Sequence, residues 1–350
     1  MKKSVKNFLL LLLLAVITIC TYSVITQWSK GFTLEGLKSL LAGADTVWML
    51  FAALCAFGFI WFEGAALRCT CRFLGHGFGF GKAIVFSASD IYFSAITPSA
   101  AGGQPAALIM MMSRGVPAAV ATMALLLNLV MYTAAIMVVS IASFIFFPQL
   151  LLGLEPASQV FIYIGAALQI GFIVLFVVCI FNERLVMRVA DFGLRLCCRV
   201  KLIRDYDAHM EKLRETIEQY GRCGALLRSE KLLLVRVFFL NLAQRLSVIM
   251  VAVFVFLAVG GAPKLVPEAF AVQTFAVLGS NAMPVPGAVG IVDYIFMNGF
   301  NRLIDDSVSL GLLSRGLSFY STSAFCGILM LIEYIRRKFR NRDDKNASKN

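Results

Sequence analysis

Five ionisable residues, Glu63, Asp90, Arg245, Asp293 and Arg315, stand inside stretches that are otherwise apolar enough for a bilayer. On insertion scales a charge at the centre of a spanning helix costs about 2.5–3.5 kcal/mol, so each of the five needs a partner or a wet cavity. Their signs permit pairing, and internal ion pairs that fix helix register are one reading of them. The other is a polar cavity near the midplane, where a charged headgroup sits while its acyl chains stay in lipid. Arg245 and Arg315 each fall well inside a span, away from a short path to water. A planar guanidinium held there suits a phosphate better than an ammonium does. They are expected to form an anion-binding wall, with Asp90 and Asp293 balancing it or meeting a cationic headgroup. Glu63 and Arg236 are secondary candidates, and Arg236 lies close enough to a span end to snorkel.

Other chemistries find little support. The chain has no nucleotide-binding loop, no zinc motif and no Ser/His/Asp set, and both histidines, His76 and His209, fall outside the predicted spans. GHGFGFG, Gly75 to Gly81, reads as a flexible turn because no strand precedes it and its spacing does not fit a phosphate loop. Nine cysteines, including the near neighbours Cys69 and Cys71 and the adjacent Cys197 and Cys198, carry no metal-ligand spacing. No catalytic residue, metal or cofactor is therefore assigned. A membrane-embedded transferase using Asp90 or Asp293 as a general base is the enzymatic alternative.

The elements that must position these charges are set by two punctuated stretches. TPSAAGGQP, Thr97 to Pro105, puts Pro98, Gly102, Gly103, Gln104 and Pro105 in the middle of an apolar region, so no regular helix runs through it. MPVPGAVG, Met283 to Gly290, repeats the device far down the chain with Pro284, Pro286, Gly287 and Gly290. Broken backbone at membrane depth is tolerated only where protein buries it or where it lines a wet cavity. The limbs beside the breaks, Ala83 to Ile96, Ala106 to Met112, Glu268 to Met283 and Ile291 to Phe300, are too short to cross a bilayer and read as two re-entrant hairpins. The helix N-termini at the breaks would offer donors to a phosphate.

Composition agrees with this reading. At 350 residues the chain is 59% hydrophobic and 15% charged, with a formal charge of +12. That excludes an ordinary soluble domain. Its basic residues lie between and beyond apolar runs, so the charge follows the positive-inside pattern and no direct nucleic-acid binding is expected. The fold class is an all-α polytopic membrane protein with about six full spans: 8–25, 46–67, 118–147, 159–181, 232–259 and 308–334. The first hairpin enters from the cytosol and the second from outside, the relation expected of an inverted repeat. Residues 1–342 form one integral membrane domain, residues 182–231 a cytosolic amphipathic segment, and residues 343–350 a disordered tail; both termini are expected in the cytosol.

The two motifs, the short apolar limb after the first, and Arg315 in the last span resemble the lysylphosphatidylglycerol synthase transmembrane family, a flippase-like group that includes the membrane half of the bacterial multiple peptide resistance factor. The resemblance covers Phe8 to about Arg337. It implies a bacterial inner-membrane lipid translocase that moves aminoacylated phosphatidylglycerol or a related phospholipid between leaflets and contributes to resistance against cationic antimicrobial peptides. Longer members also transfer lysine from lysyl-tRNA to phosphatidylglycerol through a cytosolic domain, expected to be absent here. The alternatives are thus that lysyltransferase, or a membrane partner of a separate synthase. A homo-oligomer is a further possible assembly. Where the family commonly has Glu after the second motif, this chain has Asp293.

Overall fold

The computed structural model describes residues 42–97, 100–182, 206–281 and 290–347, with isolated positions between 185 and 195. These residues are all-helical, and five helices are long and apolar enough to cross a membrane. The chain is a multi-pass membrane protein. The first expected span, 8–25, lies outside the described residues, as do Pro98, Pro284, Pro286 and Gly287.

In chain order the elements are α1 (Thr46–Phe73), α2 (Phe80–Ile96), α3 (Gly103–Met112), α4 (Ala118–Phe146), α5 (Pro148–Leu152), α6 (Pro156–Phe181), α7 (Tyr206–Ser229), α8 (Lys231–Ala258), α9 (Val266–Ser280), α10 (Ile291–Phe300), α11 (Ser307–Arg315) and α12 (Thr322–Ala347). A π-helical turn, Gly316–Ser321, joins the last two. The helix boundaries follow from local chemistry. Asp45 caps α1 by accepting from the Val47 N–H at 2.8 Å, and Pro148 and Pro156 open α5 and α6 at positions that need no donor. Helix α12 runs to Ala347, past residue 343, where the tail was expected to lose order.

The bundle is organised on the pair α1 and α8, which lie antiparallel along their whole length. At one end the Asp45 N–H donates to Ala258 O at 2.8 Å. Farther along, Gly58 faces Ser247, and Gln244 Nε2 donates to Glu63 Oε2 at 3.1 Å. Since α2 follows α1 through a short turn and α9 follows α8 through another, the hairpins α2–α3 and α9–α10 start from opposite ends of this pair.

Two apolar cores fill the two ends. One gathers Leu67, Phe86, Met111 and Met123 with Leu227 of α7. The other gathers Ala52, Phe256, Phe275 and Phe300. Along α1, α4 and α8 the residues that separate these cores include Glu63, Tyr132 and Arg245. Glu63, Tyr132 and Arg245 therefore stand between the two ends, beside smaller apolar clusters around Ile60 and around Ile136 and Ile249.

The segment between α6 and α8 was expected to lie on the bilayer or beneath the bundle. Its described helix, α7, packs on α4, α6 and α8 and buries Tyr220, Cys223 and Leu227. Burial pushes the Cys223 thiol up from its ordinary value, which keeps it in the unreactive form. In a background whose only cysteine is Cys223, alkylation at neutral pH is expected to run on the order of tenfold slower than in the matching variant that carries its cysteine at the exposed Arg222 position. Equal rates would show that α7 does not stay docked.

Candidate functional site

The first break is built by its own side chains. Thr97 is extended (φ −116°, ψ 146°), as a residue before proline must be. Its hydroxyl donates to Phe93 O at 2.6 Å and accepts from the Gly102 N–H at 2.9 Å, which closes the turn. Pro105 then falls in the first turn of α3, where a missing donor costs nothing. The opening of α3 is held against Asp90 of α2. A Cβ added to Gly103 would collide with Ser94 Oγ and Asp90 Oδ1 and would lie 2.6 Å from Asp90 O, so only glycine fits. Gln104 Nε2 donates to Asp90 Oδ2 at 2.7 Å and Ser94 Oγ donates to Asp90 Oδ1 at 3.2 Å.

Asp90 in turn meets Glu63. The two carboxyl groups are near enough to interact and both residues are buried. Arg245 of α8 is close to both, outside direct ion-pair distance among the described residues, with its guanidinium carbon 4.4 Å from the Tyr132 ring centre and 5.7 Å from that of Phe59. Arg245 Nε, Gln244 Oε1 and Asn241 Oδ1 are buried without a hydrogen-bond partner among the described residues. Buried polar atoms are ordinarily satisfied, so these mark a place made for water or for a polar ligand group.

The second break presents a different arrangement. Gly290, in the left-handed region at φ +90°, donates its N–H to Asp293 Oδ2 at 3.0 Å, so the N3 carboxylate reaches back over the start of α10. Asp293 Oδ1 also receives Arg315 Nε at 3.1 Å, and the Arg315 guanidinium lies 4.9 Å from the Phe319 ring centre on the following π turn. At both breaks a carboxylate of the chain itself occupies the start of the second limb, where a phosphate was the expected guest.

Of the residues singled out in the sequence, Asp90, Gly103, Gln104, Glu63 and Arg245 come together, with Gly102 closing the turn beside them. Gly290, Asp293 and Arg315 form a second group. Each guanidinium thus stands beside carboxylate of its own group. Arg236 belongs to neither; it is exposed near the start of α8 and lines a groove with Arg68 and Arg72. Two members were not anticipated. Tyr132 is one tyrosine in a long apolar run, with nothing local to mark it. The ion pair between Arg114 and the buried Glu333, which ties the α3–α4 turn to α12, joins residues far apart in the chain.

The described residues thus form a multi-pass helical membrane bundle with a carboxyl and guanidinium cluster beside an interrupted helix. The family model described as "Lysylphosphatidylglycerol synthase TM region" matches residues 8–326, and the chain belongs to that family. Comparison with curated proteins returned no match.

Proposed function

We propose that this protein is a translocase that moves aminoacylated phosphatidylglycerol or a related phospholipid between leaflets of the bacterial inner membrane. The observation that carries the reading is the gathering of the buried Glu63 and Asp90 with the half-buried Arg245, whose Nε is enclosed, between the apolar ends of the bundle. Such a cluster offers a phosphodiester one guanidinium and an ammonium two carboxyl groups, partners for both kinds of charge on an aminoacylated phosphatidylglycerol headgroup. The matching order of helix, short hairpin and helix in α1–α4 and α8–α12, with the hairpins starting from opposite ends, supports an inverted repeat of re-entrant hairpins. Arg245 and Arg315 serve one headgroup path from its two sides.

The test is lipid movement in vesicles. Purified protein reconstituted with headgroup-labelled phosphatidylglycerol and with lysylphosphatidylglycerol is expected to raise the inner-to-outer exchange rate well above protein-free vesicles. The Arg245→Gln, Arg315→Gln double variant is expected to lose that gain while remaining folded. Full movement by the folded double variant would end the proposal. Synthesis of modified lipid from lysyl-tRNA by the purified chain would favour the lysyltransferase reading instead, and dependence of synthesis on a second protein the partner reading. In cells, labelling of single cysteines should place both termini and residues 182–231 in the cytosol, where the Lys and Arg of short loops concentrate.

A further inference from the structure

A groove of about 970 Å³ runs between α1 and α8 near the end where α1 finishes and α8 begins. Three arginines line it, Arg68 and Arg72 from successive turns of α1 and Arg236 from α8, with Cys69 also in the lining. Arg68 is fixed in place. Its Nε donates to Phe78 O at 2.8 Å, its guanidinium carbon stands 4.2 Å above the Phe80 ring, and Phe80 stacks on Trp61 at 4.7 Å with the rings 6° from parallel. That leaves its terminal amines for a ligand. Among the described residues Glu230 is the one carboxylate lining the groove, and none of the three arginines is within ion-pair distance of an acidic group. Three like charges on one wall against a single carboxylate repel, so an anion placed between them is bound favourably. The remaining wall is apolar and open sideways: Leu232 is 80% exposed, and Val235 and Phe80 are exposed beside it.

We propose that this groove binds an anionic phospholipid, its phosphodiester on Arg68, Arg72 and Arg236 and its acyl chains along Trp61, Leu232 and Val235. Resting on the translocase reading, it is the place where the lipid leaves its leaflet before reaching the Glu63, Asp90 and Arg245 cluster deeper along the same pair of helices. A soluble anion would gain nothing from the apolar wall; a lipid uses both.

Trp61 reports on the groove directly. In a Trp28→Phe, Trp48→Phe background, its fluorescence in vesicles is expected to be quenched more by phosphatidylglycerol with dibrominated chains than by phosphatidylcholine with the same chains. Each of Arg68→Gln, Arg72→Gln and Arg236→Gln is expected to lower that preference by about fivefold, the effect of one basic residue near an anionic surface. The corresponding Lys variants are expected to keep most of it. Equal quenching by the two lipids, or an unchanged preference in the triple Gln variant, would overturn the proposal, as would displacement of the brominated lipid by millimolar inorganic phosphate. Should the triple variant not fold, native mass spectrometry of the unaltered protein decides: retention of phosphatidylglycerol over phosphatidylcholine supports the groove, and equal retention overturns it. Arg245→Gln is expected to stop lipid movement with the Trp61 preference intact, so a failure of the translocase reading and a failure of the groove are seen separately.

Discussion

Gly103→Val is expected to abolish lipid movement and to destabilise the protein by about 1–3 kcal/mol, the usual range for forcing atoms into a packed site. The alanine variant is expected to show the same direction. The reason is local and steric. The first added carbon meets Ser94 Oγ, both the side chain and the backbone of Asp90, and the backbone oxygen, 2.6 Å away, cannot swing aside as a side chain can. Relief requires α3 to move off α2, which breaks the 2.7 Å bond between Gln104 and Asp90 and releases the carboxylate that Glu63 and Arg245 surround. Gly81→Ala provides the control, since a Cβ there meets nothing within 4 Å and a helix gains from alanine. Circular dichroism melts and the vesicle assay on both variants check the contrast. Normal movement by Gly103→Val would mean that the Asp90 pocket is not on the lipid path.

The position of that glycine also marks how far the sequence could be read. Prolines and glycines in an apolar run announce a broken helix, because lost donors and lost Cβ atoms act on the backbone where they stand; the α2–α3 break falls where TPSAAGGQP placed it. Long apolar runs likewise gave α1, α4, α6, α8 and the α11–α12 span to within a few residues at most ends. The limb boundaries were legible for the same reason, with Ile291–Phe300 as expected and Gly103 opening α3 three residues ahead of the apolar limb. Partners across the bundle were not legible. Nothing in the spacing of Glu63 says that it will face Gln244, 181 residues away, and nothing around Tyr132 says that it will lie under a guanidinium. The π turn after Arg315 left no signal either, since a single wide turn does not disturb an apolar pattern. Charge sign showed that pairs could form; only packing decides which, and it grouped Arg245 with Asp90 and Glu63, and Arg315 with Asp293.

That grouping predicts an asymmetric charge cycle. The first cluster holds two carboxyl groups and one guanidinium, so its members are not equivalent. Arg245→Gln leaves Glu63 and Asp90 buried against each other without the guanidinium and is expected to cost about 1–3 kcal/mol, the range for a buried polar group left without its compensating neighbour. Glu63→Gln leaves one charge of each sign, and its amide oxygen can still accept from Gln244, so its cost is expected to stay below about 1 kcal/mol. Adding Glu63→Gln to Arg245→Gln is expected to recover about 1–3 kcal/mol, the coupling found between neighbours that share a network. Thermal melts in detergent measure all three. Lipid movement then separates structure from function: the double variant regains stability, and on the translocase reading it still moves no lipid, because the group that meets the phosphate is gone. Recovery of both stability and movement would reduce Arg245 to a counter-ion. Equal losses from Arg245→Gln and Glu63→Gln would remove the charge balance from which the cycle was derived.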